Sequence, residues 1–186
     1  MNDIFRQNVY IRMERADLRA IPQFAVPDGF QIRWYRPGDE SNWLAIHEQA
    51  EEYADISLDV YQRVFENNET ELCQRLFFLL DARNEPIATA TAWYEDDFFG
   101  LPFGRVHWVS VVPRYQGRGL SKPLLTTVLQ RMIELGHEQV FLRTSTARLP
   151  AIELYCRFGF VPSLRTPDDR DVWQQLNERL SQPFSL

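Results

Sequence analysis

"RVHWVSVVPRYQGRGLSKPLL" runs from Arg105 to Leu125. Its first half is β-branched and aromatic and stops at Pro113, the signature of a buried strand. Its end starts a series in which Leu120, Leu124, Val128, Met132 and Leu135 recur at helical spacing, with Gly136 placed to cap the last turn. Pro123 fits that helix only in the first turn, where backbone N–H groups have no helical partner. Between strand and helix stand Gly117 and Gly119, flanked by Arg114 and Arg118. A helix that begins directly after a strand aims unpaired N–H groups, and the positive end of its dipole, at the space above the turn. Residues 116–121 therefore read as a nest for a pyrophosphate-like anion, with Lys122 adding charge. A plain strand-to-helix turn would use the same glycines, so this stretch alone leaves both readings open. The spacing is not that of a Walker A loop, and Lys122 stands where a dinucleotide fingerprint has its third glycine.

Working outward, "FQIRWYRP" alternates as a strand with Phe30, Ile32 and Trp34 on one face. A helix follows, capped by Asp39 or Ser41 and carrying Trp43, Ile46 and Ala50 inward, then a second over residues 57–67 with Leu58, Val60, Tyr61 and Phe65. "RLFFLLDA" and "IATATAWYED" form a hairpin, and "EDDFFGLPFG" reads as a loop. "EQVFLRT" is a further buried strand. "LPAIELYCRF" is a short helix ended by Gly159, "GFVPSLR" a last strand, and "DDRDVWQQLNERL" a charged helix. This order implies an α/β fold (mixed α+β) with helices on both faces of the sheet.

The 186 residues suit one domain with a substantial core. A formal net charge of -6 and a pI near 5.1 argue against a nucleic-acid binder. Cys73 and Cys156 form neither a disulfide framework nor a metal motif, which points to a reducing compartment and no metal. The charged N-terminal stretch is unlike a signal peptide, and no apolar run approaches the roughly 20 residues of a membrane span. The expected location is the cytoplasm. A homodimer is compatible with the sequence and not required by it.

The glycine turn together with "AIELYCRFGF", about thirty residues later, resembles the two signatures of the GNAT superfamily of N-acetyltransferases. The (R/Q)-x-x-G-x-(G/A) acyl-CoA loop is filled by Arg114 with Gln116, Gly117 and Gly119. The A-I-x-L-Y-x-x-x-G-F element is filled by Ala151, Ile152, Leu154, Tyr155, Gly159 and Phe160. The resemblance implies a GNAT-like domain over residues 30–162, with 1–29 a leader packing on it and 163–186 a helical extension of the same domain. It implies a central, mostly antiparallel sheet with two splayed strands. It also implies acetyl-CoA as co-substrate, its pantetheine along Val109, Ser110 and Val111, and its phosphates on Arg114, Gln116, Gly117, Arg118, Gly119, Leu120 and Ser121.

Direct attack of an amine on the thioester expels a thiolate. A phenol at Tyr155 would supply the leaving sulfur with a proton, and the N–H near Val109 would face the developing oxyanion. Tyr155 also lies in an apolar helical set with Ile152, Leu154 and Phe158, so core packing is the alternative. His107 stands two residues before Val109, which by alternation puts both side chains on one face, and some family members carry a histidine there that removes the amine proton. A hydrogen-bonded strand histidine is the plainer reading. The acidic groups Glu48, Glu51, Glu52 and Asp55, or Glu95, Asp96 and Asp97, offer other bases, or a solvated face.

Many relatives hold the pantetheine arm with an asparagine where this chain has Arg148. Thr144 or Ser145 would then substitute, or Arg148 would meet a phosphate. Cys156, about 100° from Tyr155 around the helix, reads as packing rather than as a nucleophile, and His47 and His137 read as ordinary residues. Trp93, Tyr94, Phe98, Phe99 and Trp108 are candidates for an apolar acceptor pocket or for core. The expected activity is acetyl transfer to a primary amine of a small molecule. A peptide or protein acceptor, or a non-catalytic acyl-CoA sensor, are the alternatives.

Overall fold

The computed structural model of the protein describes residues 3–66 and 68–186 and is a mixed α/β structure. Its strands are β1 (Tyr10–Arg15), β2 (Gln31–Trp34), β3 (Leu76–Leu80), β4 (Pro86–Phe98), β5 (Leu101–Val111), β6 (Val140–Ser145) and β7 (Val161–Pro162). They form one sheet in the order β2-β3-β4-β5-β6-β1-β7. β1 pairs antiparallel with β6 and β7, and β3 antiparallel with β2 and β4. The helices are α1 (Ile4–Gln7), α2 (Glu40–Ala50), α3 (Leu58–Phe65), α4 (Glu69–Arg75), α5 (Ser121–Glu134), α6 (Leu149–Arg157) and α7 (Asp169–Asn177). No helix among the described residues is long and apolar enough to cross a membrane.

The chain divides into two units. The first gathers the chain up to Pro22, Tyr94–Arg105 and everything from Met132 on. Its core includes Met13, Phe141, Ile152, Phe158, Phe160 and Trp173. Residues read as leader hold β1, which lies in full register with β6 from Tyr10↔Ser145 to Arg15↔Val140. Gly104 lets α5 close on the sheet here, because a Cβ at that position would stand 2.9 Å from Met132 Sδ and from Val140 Cγ1. The second unit comprises Gln23–Trp93 and Val106–Arg131. It buries Trp43, Ile46, Tyr61, Phe65, the whole of β3, Leu120 just before α5, and Leu124 and Val128 within it.

Two sequence expectations differ from the structure, and one element had no counterpart among them. The acidic, aromatic stretch 95–104 is a hairpin rather than a loop. Phe99 (φ 53°) and Gly100 (φ 86°) both take the left-handed conformation, as a two-residue turn of the type matched to strand twist requires, and Asp97 Oδ1 accepts the Gly100 N–H at 2.7 Å. Phe-Gly lacks the Asn or Asp that usually advertises such a turn, which is why the pattern hid it. The helix read over 57–67 is α3, where Ser57 Oγ accepts the Val60 N–H; Asn67 lies outside the described residues. Leu58 stays exposed on α3, because as first residue of the helix it precedes the stripe set by Tyr61 and Phe65. Finally, α4 precedes β3 with Asn68 as its cap, and its one buried side chain, Leu72, gave no periodic signal.

Candidate active site

In the second unit β5 leaves the sheet through a turn fixed from several sides. After Val112, whose N–H donates to Ile87 at 2.9 Å, Pro113–Tyr115 make one 3₁₀ turn. Tyr115 Oη donates to Asp81 Oδ2 at 2.6 Å, and that hydrogen bond holds the Asp81 carboxyl below its ordinary range. Two guanidiniums lie over the Tyr115 ring, Arg118 at 4.7 Å and Arg114 at 5.4 Å from its centre. Gln116 Nε2 donates to the Val111 carbonyl at 2.9 Å, and Arg114 pairs with Glu85 at 3.3 Å. Both side chains thus frame the turn. Sequence reading missed Asp81 and Tyr115, since nothing local ties residues thirty-four positions apart.

Beyond that frame, Gly117 (φ 73°) and Gly119 (φ 77°) both take conformations costly for any residue with a Cβ. A Cβ at either place would meet nothing within 4 Å, so the glycines answer to backbone conformation rather than to packing. From Gly117 through Ser121 no backbone N–H donates to another described residue. The Lys122 N–H is the next to be satisfied, by Gly119 at 3.1 Å. Five successive amides at the mouth of α5, four of them on exposed or half-exposed residues, are thus left as donors of the kind that an anion can accept. Leu120 is buried and anchors the turn to the helix, while Lys122 Nζ sits over the Phe24 ring at 5.3 Å.

Upstream of the turn, Trp108 interrupts β5 with φ 49°. A bulky residue in the left-handed region inside a strand is a strained feature of the kind found at bulges and ligand sites. The two-residue alternation does not run through it, so the expectation that His107 and Val109 share a face loses its basis. The Trp108 ring packs 5.0 Å from both Trp43 and His47, and its Nε1 is buried with no hydrogen-bond acceptor among the described residues. His107 is half-buried, 5.6 Å from the Trp108 ring and 6.3 Å from Phe65. His47, read as an ordinary surface or core residue, is buried against Trp43 at 4.2 Å. Val109 and Ser110 are half-buried and Val111 is buried.

The first unit holds the remaining candidates. Tyr155 is buried on α6, 6.0 Å from the Phe160 ring. Burial pushes its phenol up to about 12, with Arg148 pulling the other way. Arg148 stands at the start of α6; its N–H donates to Ser145 and its carbonyl accepts from Ala151 and Ile152. Thr144 and Ser145 are buried at the end of β6, and Ser145 Oγ has no hydrogen-bond partner among the described residues. Burial and Glu153 push the Cys156 thiol up to about 11, which keeps it protonated and unreactive at neutral pH. Of the five aromatics read as one pocket, Trp93 and Trp108 belong to the second unit, and Tyr94, Phe98 and Phe99 to the first. Glu48, Glu52 and Asp55 are exposed, as a solvated face requires.

Residues 34–160 match the model of the Acetyltransferase (GNAT) family. A mycothiol acetyltransferase from Corynebacterium aurimucosum is 31% identical over 176 residues, which cover 85% of this chain and 58% of that protein. A second mycothiol acetyltransferase, from Pseudarthrobacter chlorophenolicus, is 31% identical over 75% of this chain and 45% of its own length. The chain thus spans about half the length of the curated relatives it matches. A GCN5-related N-acetyltransferase from Sphaerobacter thermophilus superposes with a TM-score of 0.70 at 19% identity, over 83% of this chain and 48% of that one, and shares its fold. Since that family model spans residues 34–160, well over half of the sequence, the chain belongs to the acetyltransferase (GNAT) family.

Proposed function

We propose that this chain transfers the acetyl group of acetyl-CoA to a primary amine of a small molecule, directly and within a ternary complex. The observation that carries the reading is the run of five unpartnered amides from Gly117 to Ser121. Nothing in the described protein uses these donors, and a diphosphate supplies the acceptors they lack. Acetyl-CoA supplies the activated thioester; the chain supplies grip, exclusion of water and proton management.

In this reading Gly117, Gly119 and the adjacent amides hold the phosphates, while Arg114, Gln116 and Arg118 keep the turn in shape around Tyr115. Val109–Val111, after the interruption at Trp108, offer backbone groups to the carrier arm and the thioester carbonyl. Thr144 and Arg148 are the residues that the family resemblance assigns to the arm. Tyr155 holds its proton through the whole physiological range because burial raises its pKa, so it arrives protonated for the departing sulfur. His107, half-buried beside Trp108 and Phe65, takes the proton from the incoming amine. Cys156 takes no part.

The names of the relatives favour a small-molecule acceptor over a peptide. The test is steady-state acetyl transfer to a panel of amines with thiol release as the readout. Turnover that depends on both acetyl-CoA and one class of amine supports the reading. Saturable acetyl-CoA binding without turnover on any amine would make the domain a sensor, and absence of binding would remove both.

A further inference from the structure

On the sheet of the first unit, β1 and β6 set Arg12 directly opposite Arg143. Like charges at directly opposed positions repel and weaken the sheet. The pair lines a shallow cavity of about 330 Å³ together with Glu95, Asp97, Phe98 and Phe99, a size that suits a small molecule. The carboxylates around it leave the guanidiniums under-neutralised. Glu95 stands 3.9 Å from Arg143 Nη2 and 3.7 Å from Arg105 Nη1, both beyond hydrogen-bond length. One Asp97 oxygen is engaged by the hairpin turn.

Among the described residues the Arg12 guanidinium makes no hydrogen bond and no ion pair; it lies 5.5 Å from the centre of the Phe99 ring. Arg105 has its Nε buried without an acceptor and its pKa pushed down to about 10 by burial and by Arg143. Phe99 is held at the hairpin tip, 48% exposed, with Arg165 over it at 6.0 Å.

We propose that this cavity is a carboxylate-binding site in which Arg12 and Arg143 take the two oxygens of a small organic acid whose apolar body lies on Phe99. A planar carboxylate matches the guanidinium fork and relieves the repulsion across the strand pair. Glu95 and Asp97 set the charge limit, because a dianionic phosphate would face two carboxylates in the same cavity. A monoanion leaves Glu95 with Arg105 and fits the remaining positive charge. Phe99 packs edge to face on Phe98 at 5.0 Å and still leaves much of its ring exposed beside the unpaired Arg12 guanidinium.

The experiment is calorimetric titration of the full chain, without acetyl-CoA and at fixed ionic strength, with sodium benzoate, the neutral isostere benzamide, and inorganic phosphate. Saturable one-site binding of benzoate, at least about tenfold tighter than benzamide or phosphate, is expected. Arg12→Gln and Arg143→Gln should each weaken benzoate about tenfold, while the unliganded variants melt no lower than wild type because the opposed charges are gone. Equal binding of benzamide, or benzoate affinity unchanged in both variants, overturns the site. So does displacement of benzoate by coenzyme A, which would mark the cavity as part of the carrier's own site. Acetyl transfer is not read in any arm, so failure here leaves the acetyltransferase reading standing, and failure of that reading leaves this site standing.

Discussion

Arg15, at the end of β1, lays its guanidinium against Gly159, where α6 ends. It donates to the carbonyls of Phe158, Ala20 and Asp17, and a Cβ on Gly159 would stand 2.5 Å from its Nη1. Gly159 itself has φ 77°. One glycine thus serves the left-handed cap and the seat of a buried cation that ties three segments together. Gly159→Ala should therefore cost more than the roughly 1 kcal/mol of a left-handed alanine alone, because Arg15 must also move. About 2–3 kcal/mol, read from urea unfolding, is expected. A loss near 1 kcal/mol would show that Arg15 adapts freely.

For Gly117→Glu the outcome should be the reverse: fold kept, ligand lost. The added side chain meets open space, so the melting temperature should stay within a few degrees, while a carboxylate over the amides should weaken acetyl-CoA binding at least a hundredfold. Unchanged affinity in a titration would place the carrier elsewhere.

Tyr155→Phe should lower kcat about a hundredfold with little change in acetyl-CoA affinity. Since burial pushes the phenol up to about 12, the wild type should show no alkaline limb from this group below roughly pH 10. Activity equal to wild type would return Tyr155 to the core. His107→Ala should move the acidic limb of the kcat/KM profile; an unmoved limb would assign the base to a carboxylate or to water.

Asp39 gives a pH-dependent test of stability. Its side chain is only 10% exposed, and Arg33 grips it at 2.7 and 2.9 Å. Burial alone would push the carboxyl up, but the Arg33 hydrogen bonds, the Arg36 N–H and Asn42 hold it below its ordinary 3.8. A carboxylate whose folded pKa lies below its unfolded value adds stability that is complete above the unfolded value. That stability is lost as pH falls through the folded value. Asp39→Asn should then cost about 2 kcal/mol at neutral pH, with the gap from wild type closing as pH drops through and below 3.8. A gap that stays constant into strong acid would show that the ion pair is not its source.

Cys156→Ala should retain full acetyl transfer, and the native thiol, pushed up to about 11, should alkylate slowly near pH 8. Loss of turnover in that variant would implicate the sulfur after all.

The sequence was most legible where one residue type answers one local demand. Gly117 and Gly119 marked the turn, Pro123 fell in the first turn of α5, and Leu120, Leu124 and Val128 marked its buried face. It was least legible where distant groups decide. Nothing near Tyr115 announces Asp81, and nothing near Arg12 announces Arg143, since both pairs exist only once strands or turns have met. The left-handed conformation of Trp108 hid for another reason: Val106, Val109 and Val111 around it give an unbroken strand pattern, so the residue carries no compositional mark.

The bond from Tyr115 to Asp81 bears on how fast a carrier can be captured. Because the turn is clamped by the phenol, by Gln116 on Val111 and by two stacked guanidiniums before any phosphate arrives, the amides need no rearrangement to receive one. Tyr115→Phe should slow association and make the binding entropy less favourable, with the equilibrium contacts themselves intact, as a stopped-flow and calorimetric comparison would read directly.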